Sequence, residues 1–478
     1  MDLQELKLSR DLSVPIYLQI YRRYRTAISA GKLLPGDRVP SVRSLASELG
    51  LARGTVEAAY QMLANEGYFL TRGAAGTVVS PRLEAVADPV QAKKPASVSR
   101  ANDCPPPTAR DILTFQLGVP ALDAFPRKVW SRLSGRCMRA TEIAAMTYPD
   151  PAGYEPLRRS IATYLGLSRG ISCTHEQVFV TAGYRGALDL VCRTLLQADD
   201  VGWYEDPGYL IARQYLEHAG MRLAPIPVDE EGLNVEEGMR RAAHARFAVV
   251  TPTHQSPTGA PLSLPRRLAL LEWARQSQAW VIEDDYDSEF RYAGRPLPAL
   301  KSLDEGGRVL YTGSFSKVLV PGLRLGYLVV PTSLVTTIND ALERVPGPGY
   351  LLPQAVVSEF MDQGHFGRHL RNMRNLYAER RGYLIDALLR EAGDHLRIQP
   401  QAGGIHLLAQ LNDRYDDKEI AVVAAREGLA VHALSNWTLG WPIQSGLLMG
   451  FANLATTQEA ESAVRQLRGV LDRASSSP

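Results

Sequence analysis

One lysine of this chain lies between two serines on one side and a glycine-punctuated apolar run on the other, in the stretch YTGSFSKVLVPGLRLG. Lys317 follows Ser314 and Ser316, and Arg324 comes later in the same stretch. A partly desolvated lysine has a neutral, nucleophilic amine that can attack an aldehyde, whereas hydroxyls and a planar guanidinium suit a phosphate. These groups together could hold an aldehyde cofactor that carries a phosphate. An ordinary surface lysine between two strands would show the same short pattern.

The elements that must position this lysine form an alternating pattern. Short apolar runs separated by amphipathic segments predict an α/β domain with a mostly parallel sheet. Long helices are then predicted at 354–361 and 368–390, and they lead to a smaller α+β region. The predicted strands are 178–180, 201–204, 223–228, 247–250, 280–282, 309–311 and 325–330.

Chemically useful side chains follow the predicted strands, at the edge where α/β domains bind their ligands. Gly183, Tyr184 and Arg185 open a helix whose backbone amides suit a phosphate. Tyr209 offers an aromatic face, and Asp284 could keep a pyridine nitrogen protonated. Together with Lys317, this order predicts a site for pyridoxal 5'-phosphate (PLP).

The first 80 residues show a different pattern: three predicted helices followed by two short strands. This layout is typical of a winged helix-turn-helix, which binds double-stranded DNA. The ten Lys and Arg residues against seven Asp and Glu give this segment a net charge of +3. The alternative is a small structural domain with solvated charges.

The motifs PSVRSLA, LGLARGTV and AYQMLANEGY, between positions 40 and 68, resemble the GntR-type winged helix. The resemblance implies DNA contacts from two helix starts and from the wing. The residues concerned are Arg43, Arg53, Thr55, Arg72 and Gly76. Ala52 departs from the family pattern, since a Ser or Thr usually caps the third helix.

The region from about 111 to 470 resembles the fold-type I aminotransferases, and with the winged helix it resembles the MocR branch of the GntR regulators. The resemblance implies Lys317 as the Schiff-base lysine, Asp284 as partner of the pyridine nitrogen, Tyr286 near the phenolic oxygen and Tyr209 stacked on the ring. The phosphate would be surrounded by Gly183, Tyr184, Arg185, Ser314, Ser316 and Arg324.

The same resemblance implies a homodimer with shared PLP sites, because Tyr148 matches a tyrosine that reaches the phosphate of the neighbouring subunit. Two positions depart from the aminotransferase pattern. Ser256 replaces an asparagine that binds the ring oxygen, and Leu448 replaces the arginine that holds a substrate's α-carboxylate. His406 is a candidate for lining the pocket instead.

Composition sets wider bounds on a chain of 478 residues with a net charge of +2. We predict a DNA-binding domain at 1–80, a linker at 81–110 rich in Pro, Ala, Ser and Val, and an effector domain at 111–470. The four cysteines show no metal-ligand spacing, so no metal site is expected. The polar first residues predict no signal peptide, and no run is long enough to span a membrane, so a cytoplasmic protein is expected.

Three functions remain open from the sequence. The favoured one is a PLP-dependent transcriptional regulator that binds operator DNA and senses PLP or a small amine. The second is a PLP-dependent aminotransferase with an accessory DNA-binding head, which Leu448 argues against. The third is a structural dimerisation domain without a cofactor.

Overall fold

The computed structural model describes residues 14–71, 73, 76–81, 112–141, 147–294, 298–345, 349, 351–398 and 401–475. The chain divides into two compact units, Met1–Pro107 and Thr108–Pro478. Positions 82–110 of the predicted linker and Arg72 of the predicted wing lie outside the described residues. The domain boundaries at 80 and 110 therefore stay predictions.

The first unit is a small helical domain with a three-stranded sheet. Its elements are α1 (Ile16–Ser29), β1 (Arg38–Val39), α2 (Val42–Leu49), α3 (Arg53–Asn65), β2 (Phe69–Thr71) and β3 (Thr77–Val79). Strand β3 pairs antiparallel with both β1 and β2. The three helices and the β2–β3 hairpin confirm the predicted layout, but β1 was missed because two residues carry no periodic signal.

Three aromatic rings form the centre of this unit. Tyr24, Tyr60 and Phe69 meet edge to face, with ring centroids 5.1 to 5.7 Å apart. Tyr60 also donates a hydrogen bond from its hydroxyl to the Pro40 carbonyl over 2.9 Å. This hydrogen bond connects α3 to the residue that precedes the N-cap of α2, so the packing of the two helices depends on the aromatic core.

The starts of α2 and α3 are capped differently. Ser41 Oγ accepts a hydrogen bond from the Ser44 amide over 3.1 Å, whereas Ala52 has no side-chain acceptor for α3. Ala52→Ser should therefore stabilise α3 by about 1 kcal/mol. Hydrogen exchange of the α3 amides in the full chain should slow by about fivefold. Ser41→Ala should speed exchange in α2 to a similar extent, and unchanged α3 exchange in Ala52→Ser would contradict the expectation.

The second unit contains an eight-stranded sheet in the order β4-β11-β10-β9-β8-β5-β6-β7. Strands β10, β9, β8, β5 and β6 run parallel, whereas β11 is antiparallel to both of its neighbours. Their bounds are β4 (Val178–Thr181), β5 (Val201–Asp206), β6 (Arg222–Asp229), β7 (Gly232–Leu233), β8 (Phe247–Val250), β9 (Trp280–Asp285), β10 (Val309–Ser314) and β11 (Gly326–Val329). The predicted mostly parallel sheet is confirmed.

Both faces of this sheet are buried. Neighbouring residues of β9, Val281 and Ile282, belong to different apolar clusters, and so do Val309 and Leu310 of β10. The helices are α4 (Arg127–Ala140), α5 (Glu155–Arg169), α6 (Gly183–Leu195), α7 (Leu210–His218), α8 (Val235–Ala242), α9 (Leu264–Ser277), α10 (Val335–Arg344), α11 (Leu351–Asp362) and α12 (His365–Ala392). Strands covered on both faces read as continuous apolar runs, which is why the sequence located them.

The C-terminal part is a smaller α+β region, as predicted. Its antiparallel sheet has the order β12-β13-β15-β14. The elements are β12 (Leu396–Ile398), β13 (His406–Leu411), α13 (Asp417–Arg426), β14 (His432–Ala433), β15 (Gly446–Gly450) and α14 (Thr457–Ser475). Within the part of the chain that the structure describes, no helix is long and apolar enough to cross a membrane.

Candidate functional site

The turn that carries Lys317 connects β10 to β11 at one edge of the large sheet. Ser314 is the last residue of β10 and lies opposite Gly326, the first residue of β11. Gly326 in turn lies opposite Thr181, the last residue of β4. This register brings the turn after β10 next to the start of α6, although the two are far apart in sequence.

The predicted phosphate-binding residues gather at this edge. Gly183 begins α6 with φ 72°, followed by Tyr184 and Arg185 in its first turn. A Cβ on Gly326 would lie 2.9 Å from the Gly183 Cα, so only glycine allows the two backbones to approach this closely. The free amides of the first helical turn and the nearby side chains form a surface suited to an anion.

The remaining candidates for the phosphate lie on the Lys317 turn itself. Ser314 Oγ accepts a hydrogen bond from the Ser316 amide over 3.1 Å, which fixes the serine next to the lysine. Arg324 is exposed and has φ 50°, a left-handed conformation that a non-glycine residue rarely adopts. Its side chain is therefore accessible to a ligand.

The Lys317 amine is partly buried and donates a hydrogen bond to the Gly118 carbonyl over 2.8 Å. Burial lowers the pKa of this amine, while the charges of Asp287 and Asp284 oppose that shift. A lowered pKa favours the neutral, nucleophilic form that attacks an aldehyde. Sequence reasoning missed Gly118, since a lone glycine carries no chemical signal.

Asp284 is the carboxylate among the predicted ligands, and only 6% of its surface is exposed. Burial raises its pKa well above the usual range, and the neighbouring Asp285 adds to the shift. Such a carboxyl needs a partner that donates a proton or a positive charge. A protonated pyridine nitrogen is a group of that kind.

Three tyrosines line the surroundings of Asp284. Tyr184 and Tyr209 lie with ring centroids 6.2 Å apart, and Asp284 raises the pKa of Tyr184, Tyr209 and Tyr286, although burial is the larger cause for each. The Tyr184 hydroxyl is buried without a partner at hydrogen-bond geometry among the described residues, although it is close enough to lower the pKa of Asp284. An unsatisfied hydroxyl beside an anion cradle and a lysine fits a ligand with polar oxygens, as PLP is.

Leu448 is fully buried on β15, and the aminotransferase clamp position is therefore apolar. It belongs to a cluster with Leu434 and Trp437, against which Leu117 and Tyr209 pack. The Trp437 indole N–H is buried and has no hydrogen-bond partner in the described part of the chain. This apolar wall next to Tyr209 offers no charge to a carboxylate.

The other departure, Ser256, still lies at the site. Its hydroxyl is near Tyr286 and lowers the pKa of that phenol, although burial raises it overall. His406 is held by a 3.1 Å contact from Nε2 to the Pro257 carbonyl, and burial lowers its pKa to about 4. His406 therefore stays neutral at physiological pH.

Tyr148 differs from the other PLP candidates in that its side chain is completely exposed among the residues that the structure describes. The structure therefore does not bring it together with the other cofactor residues within one protomer.

In the first unit, Arg43 and Arg53 are exposed at the starts of α2 and α3, Thr55 lies in the first turn of α3, and Gly76 has φ 88° before β3.

Sequence reasoning also missed a group of polar side chains next to Tyr286. His254 contacts Tyr286, Asp287 and Gln401. Asp287 belongs to the same acidic run as Asp284, which could have signalled it. Gln401 comes from a distant segment, so no local pattern could have found it. Among the residues that the structure covers, no cluster of His, Cys, Asp and Glu is arranged to hold a metal ion.

Each of the two units matches a known protein family. Residues 127–465 match the family model for aminotransferase class I and II, and residues 16–79 match the model for bacterial regulatory proteins of the gntR family. The probable rhizopine catabolism regulatory protein MocR of Rhizobium meliloti is 36% identical over 470 residues, covering 96% of this chain and 95% of that protein. The pyridoxine biosynthesis transcriptional regulator PdxR of Corynebacterium glutamicum is 34% identical over 437 residues, covering 91% of each chain.

Among solved structures, an α-aminoadipate aminotransferase from Thermus thermophilus, in complex with N-(5'-phosphopyridoxyl)-L-leucine, superimposes with a TM-score of 0.69. It is 29% identical, and the match covers 76% of this chain and 92% of that one.

Proposed function

Because the chain belongs to the MocR-type branch of the GntR family, in which a winged helix-turn-helix is fused to an aminotransferase class I and II domain, we propose that the ligand at Lys317 controls its DNA binding. The protein is a DNA-binding transcriptional regulator, and its cofactor is PLP. When bound, PLP supplies an aldehyde that amines attack and a ring that withdraws electrons. The observation that carries the proposal is the partly buried Lys317, whose turn lies at the sheet edge that also holds the start of α6.

In this proposal each residue of the site has one task. Lys317 provides the amine that attaches the cofactor, Asp284 holds a proton at the pyridine nitrogen, and Tyr209 covers the ring. Tyr286 binds the phenolic oxygen. The phosphate is bound by Gly183, Tyr184, Arg185, Ser314, Ser316 and Arg324.

The apolar environment of Leu448 favours sensing over transamination. An aminotransferase gains alignment from a bidentate arginine–carboxylate contact, and a leucine in that place provides neither charge nor direction. We infer that the effector is PLP itself or an amine without an α-carboxylate. An amine effector would compete with Lys317 for the aldehyde of the cofactor.

We further propose that the regulator acts as a cytoplasmic homodimer with shared cofactor sites. The exposed Tyr148 supports this, because a tyrosine that serves the neighbouring subunit would be exposed in an isolated protomer. A two-fold dimer also matches the symmetry of an operator with two half-sites. Analytical ultracentrifugation would report the dimer directly.

Titration of DNA binding with ligands tests the proposed function. DNA sites would first be selected in vitro with the full-length protein, and affinity would then be measured without PLP, with PLP, and with PLP plus a panel of amines. At least one ligand should change the affinity by about 5- to 150-fold, the usual range of coupling between two sites. Matched pairs of an amine and its α-carboxylated parent distinguish the effector classes. Equal DNA affinity under all conditions would refute the sensing proposal.

A further inference from the structure

A buried polar cluster surrounds His254, in the loop that follows β8. Its Nδ1 lies 3.0 Å from the Tyr286 hydroxyl, and its Nε2 lies 3.0 Å from Gln401 Oε1. The Asp287 carboxylate, which is 1% exposed, approaches Nδ1 to 3.2 Å. One imidazole therefore joins the loop after β8, the acidic run after β9 and the segment before β13.

The two contacts of Nδ1 differ in kind. The contact with Tyr286 has hydrogen-bond geometry, whereas Asp287 Oδ2 is at ion-pair distance and has no hydrogen-bond partner among the described residues. A buried carboxylate oxygen without a donor requires a positive charge nearby. Burial lowers the pKa of His254, but the charge and close contact of Asp287, together with the contact to Gln401, outweigh it and raise the pKa.

Other charged and titratable groups also face this cluster. Arg381 opposes protonation of His254, while neutral His406 packs with its ring 5.7 Å from the His254 ring. The charge of Asp287 also acts on the Lys317 amine, whose pKa it raises against the larger lowering by burial. The charge of Asp287 therefore acts on both His254 and the Lys317 amine.

Two glycines make room for the cluster. A Cβ on Gly404, which has φ 92°, would lie 2.2 Å from His254 Cε1. A Cβ on Gly259, which has φ 77°, would lie 1.6 Å from Gln401 Oε1. Glycine at these two positions therefore leaves the space that His254 and Gln401 occupy.

Protonation at both ring nitrogens determines the direction of the hydrogen bonds. With both nitrogens protonated, Nε2–H would donate to Gln401 Oε1, and Nδ1–H would donate to the Tyr286 oxygen. The Tyr286 proton then points away from His254. Without an N–H donor at the Nδ1 position, the same proton would turn towards Asp287 Oδ2, since the charge of Asp287 adds to burial in raising the pKa of Tyr286.

Resting on the proposed function, we propose that His254 is a positioning residue that directs the Tyr286 hydroxyl as a hydrogen-bond donor towards the phenolic oxygen of bound PLP. A donor at that oxygen disperses its negative charge. The proton on the adjacent Lys317 nitrogen is then held less tightly, so the pKa of that nitrogen is lower.

A pH titration of the visible absorbance of the PLP-loaded protein tests this role. His254→Leu should raise the midpoint by about one pH unit, as should the reference variant Tyr286→Phe. His254→Asn places an amide N–H near the position of Nδ1 and should keep the midpoint close to that of the wild type.

His395 provides a matched control. It is also buried, with Nδ1 2.6 Å from the Tyr415 hydroxyl and Nε2 3.1 Å from Asp472 Oδ1. His395→Leu therefore removes the same chemistry from a place that lacks the cofactor residues, and it should lower thermal stability without moving the midpoint.

The outcomes separate the alternatives. A midpoint in His254→Leu within about 0.2 units of the wild type, while Tyr286→Phe moves it, would overturn the proposal, and so would an equal shift in His395→Leu. Absence of any visible band in the wild-type protein would refute the PLP site and this inference together. If the midpoint shifts in His254→Leu but the DNA affinity of the wild-type protein is the same with and without every ligand tested, the sensing function alone is refuted and the role of His254 is supported.

Discussion

Replacing Lys317 with alanine is expected to abolish the covalent attachment of PLP and every response of DNA binding to the cofactor. The turn that carries Lys317 lies beside the start of α6, and the charges of Asp287 and Asp284 act on its amine. Without it, the phosphate surface can still hold PLP by weak contacts, but no bond forms. The measurement is borohydride reduction followed by peptide mass spectrometry, together with the visible spectrum.

Lys418→Ala is the control for this experiment, because that side chain is exposed on α13. It should retain the visible band and the label at Lys317. A label at another lysine in the wild-type protein, or an unchanged band in Lys317→Ala, would show that the site is elsewhere.

The second large effect is expected in the first unit. The double variant Arg43→Ala/Arg53→Ala should weaken binding to the selected operator by about 30-fold or more, since each arginine at a helix start is worth about 1–3 kcal/mol in such contacts. Both side chains are exposed, so the fold of the unit should be unaffected. Fluorescence anisotropy at several salt concentrations would give both the affinity and the number of phosphate contacts.

Arg22→Ala is the matched control, since Arg22 is exposed on α1 rather than on the two helices that resemble the DNA-contacting pair. It should change the affinity by no more than about twofold, as expected for a distant charge. An equal loss in both variants would indicate a general effect of net charge and would refute specific contacts at Arg43 and Arg53.

The two sets of variants should separate ligand binding from DNA binding. If the ligand at Lys317 controls DNA binding, Lys317→Ala should retain one fixed affinity for the operator at all PLP concentrations. The Arg43 and Arg53 variant should bind PLP with a normal spectrum. The function of each unit can therefore be removed separately, which a structural dimerisation domain without a cofactor would not permit.

Much of the large domain was predictable because its strands are buried on both faces. Each appears as a continuous apolar run, and the side chain after each run lies at the ligand-binding edge. The positions of Asp284, Lys317 and the start of α6 followed from that rule. The GntR-like motifs located α2 and α3, and Ala52 without a capping side chain was also foreseen correctly.

Contacts between distant segments were not predictable. The two-residue strand β1 was missed because its pairing with β3 is set by tertiary contacts. The sequence did not indicate that β11 runs antiparallel, which is what places the Lys317 turn beside Gly183.

The sequence by itself determined the chemistry of this protein, that is, a lysine, an anion surface and a carboxylate in an order that suits one cofactor, joined to a DNA-binding head. Only the tertiary structure decided what surrounds them. The Gly118 carbonyl holds the Lys317 amine, and Gln401 fixes His254, which contacts Tyr286. The physical reason is that side-chain types and local periods are written along the chain, whereas hydrogen bonds between segments depend on distances that only the folded chain sets.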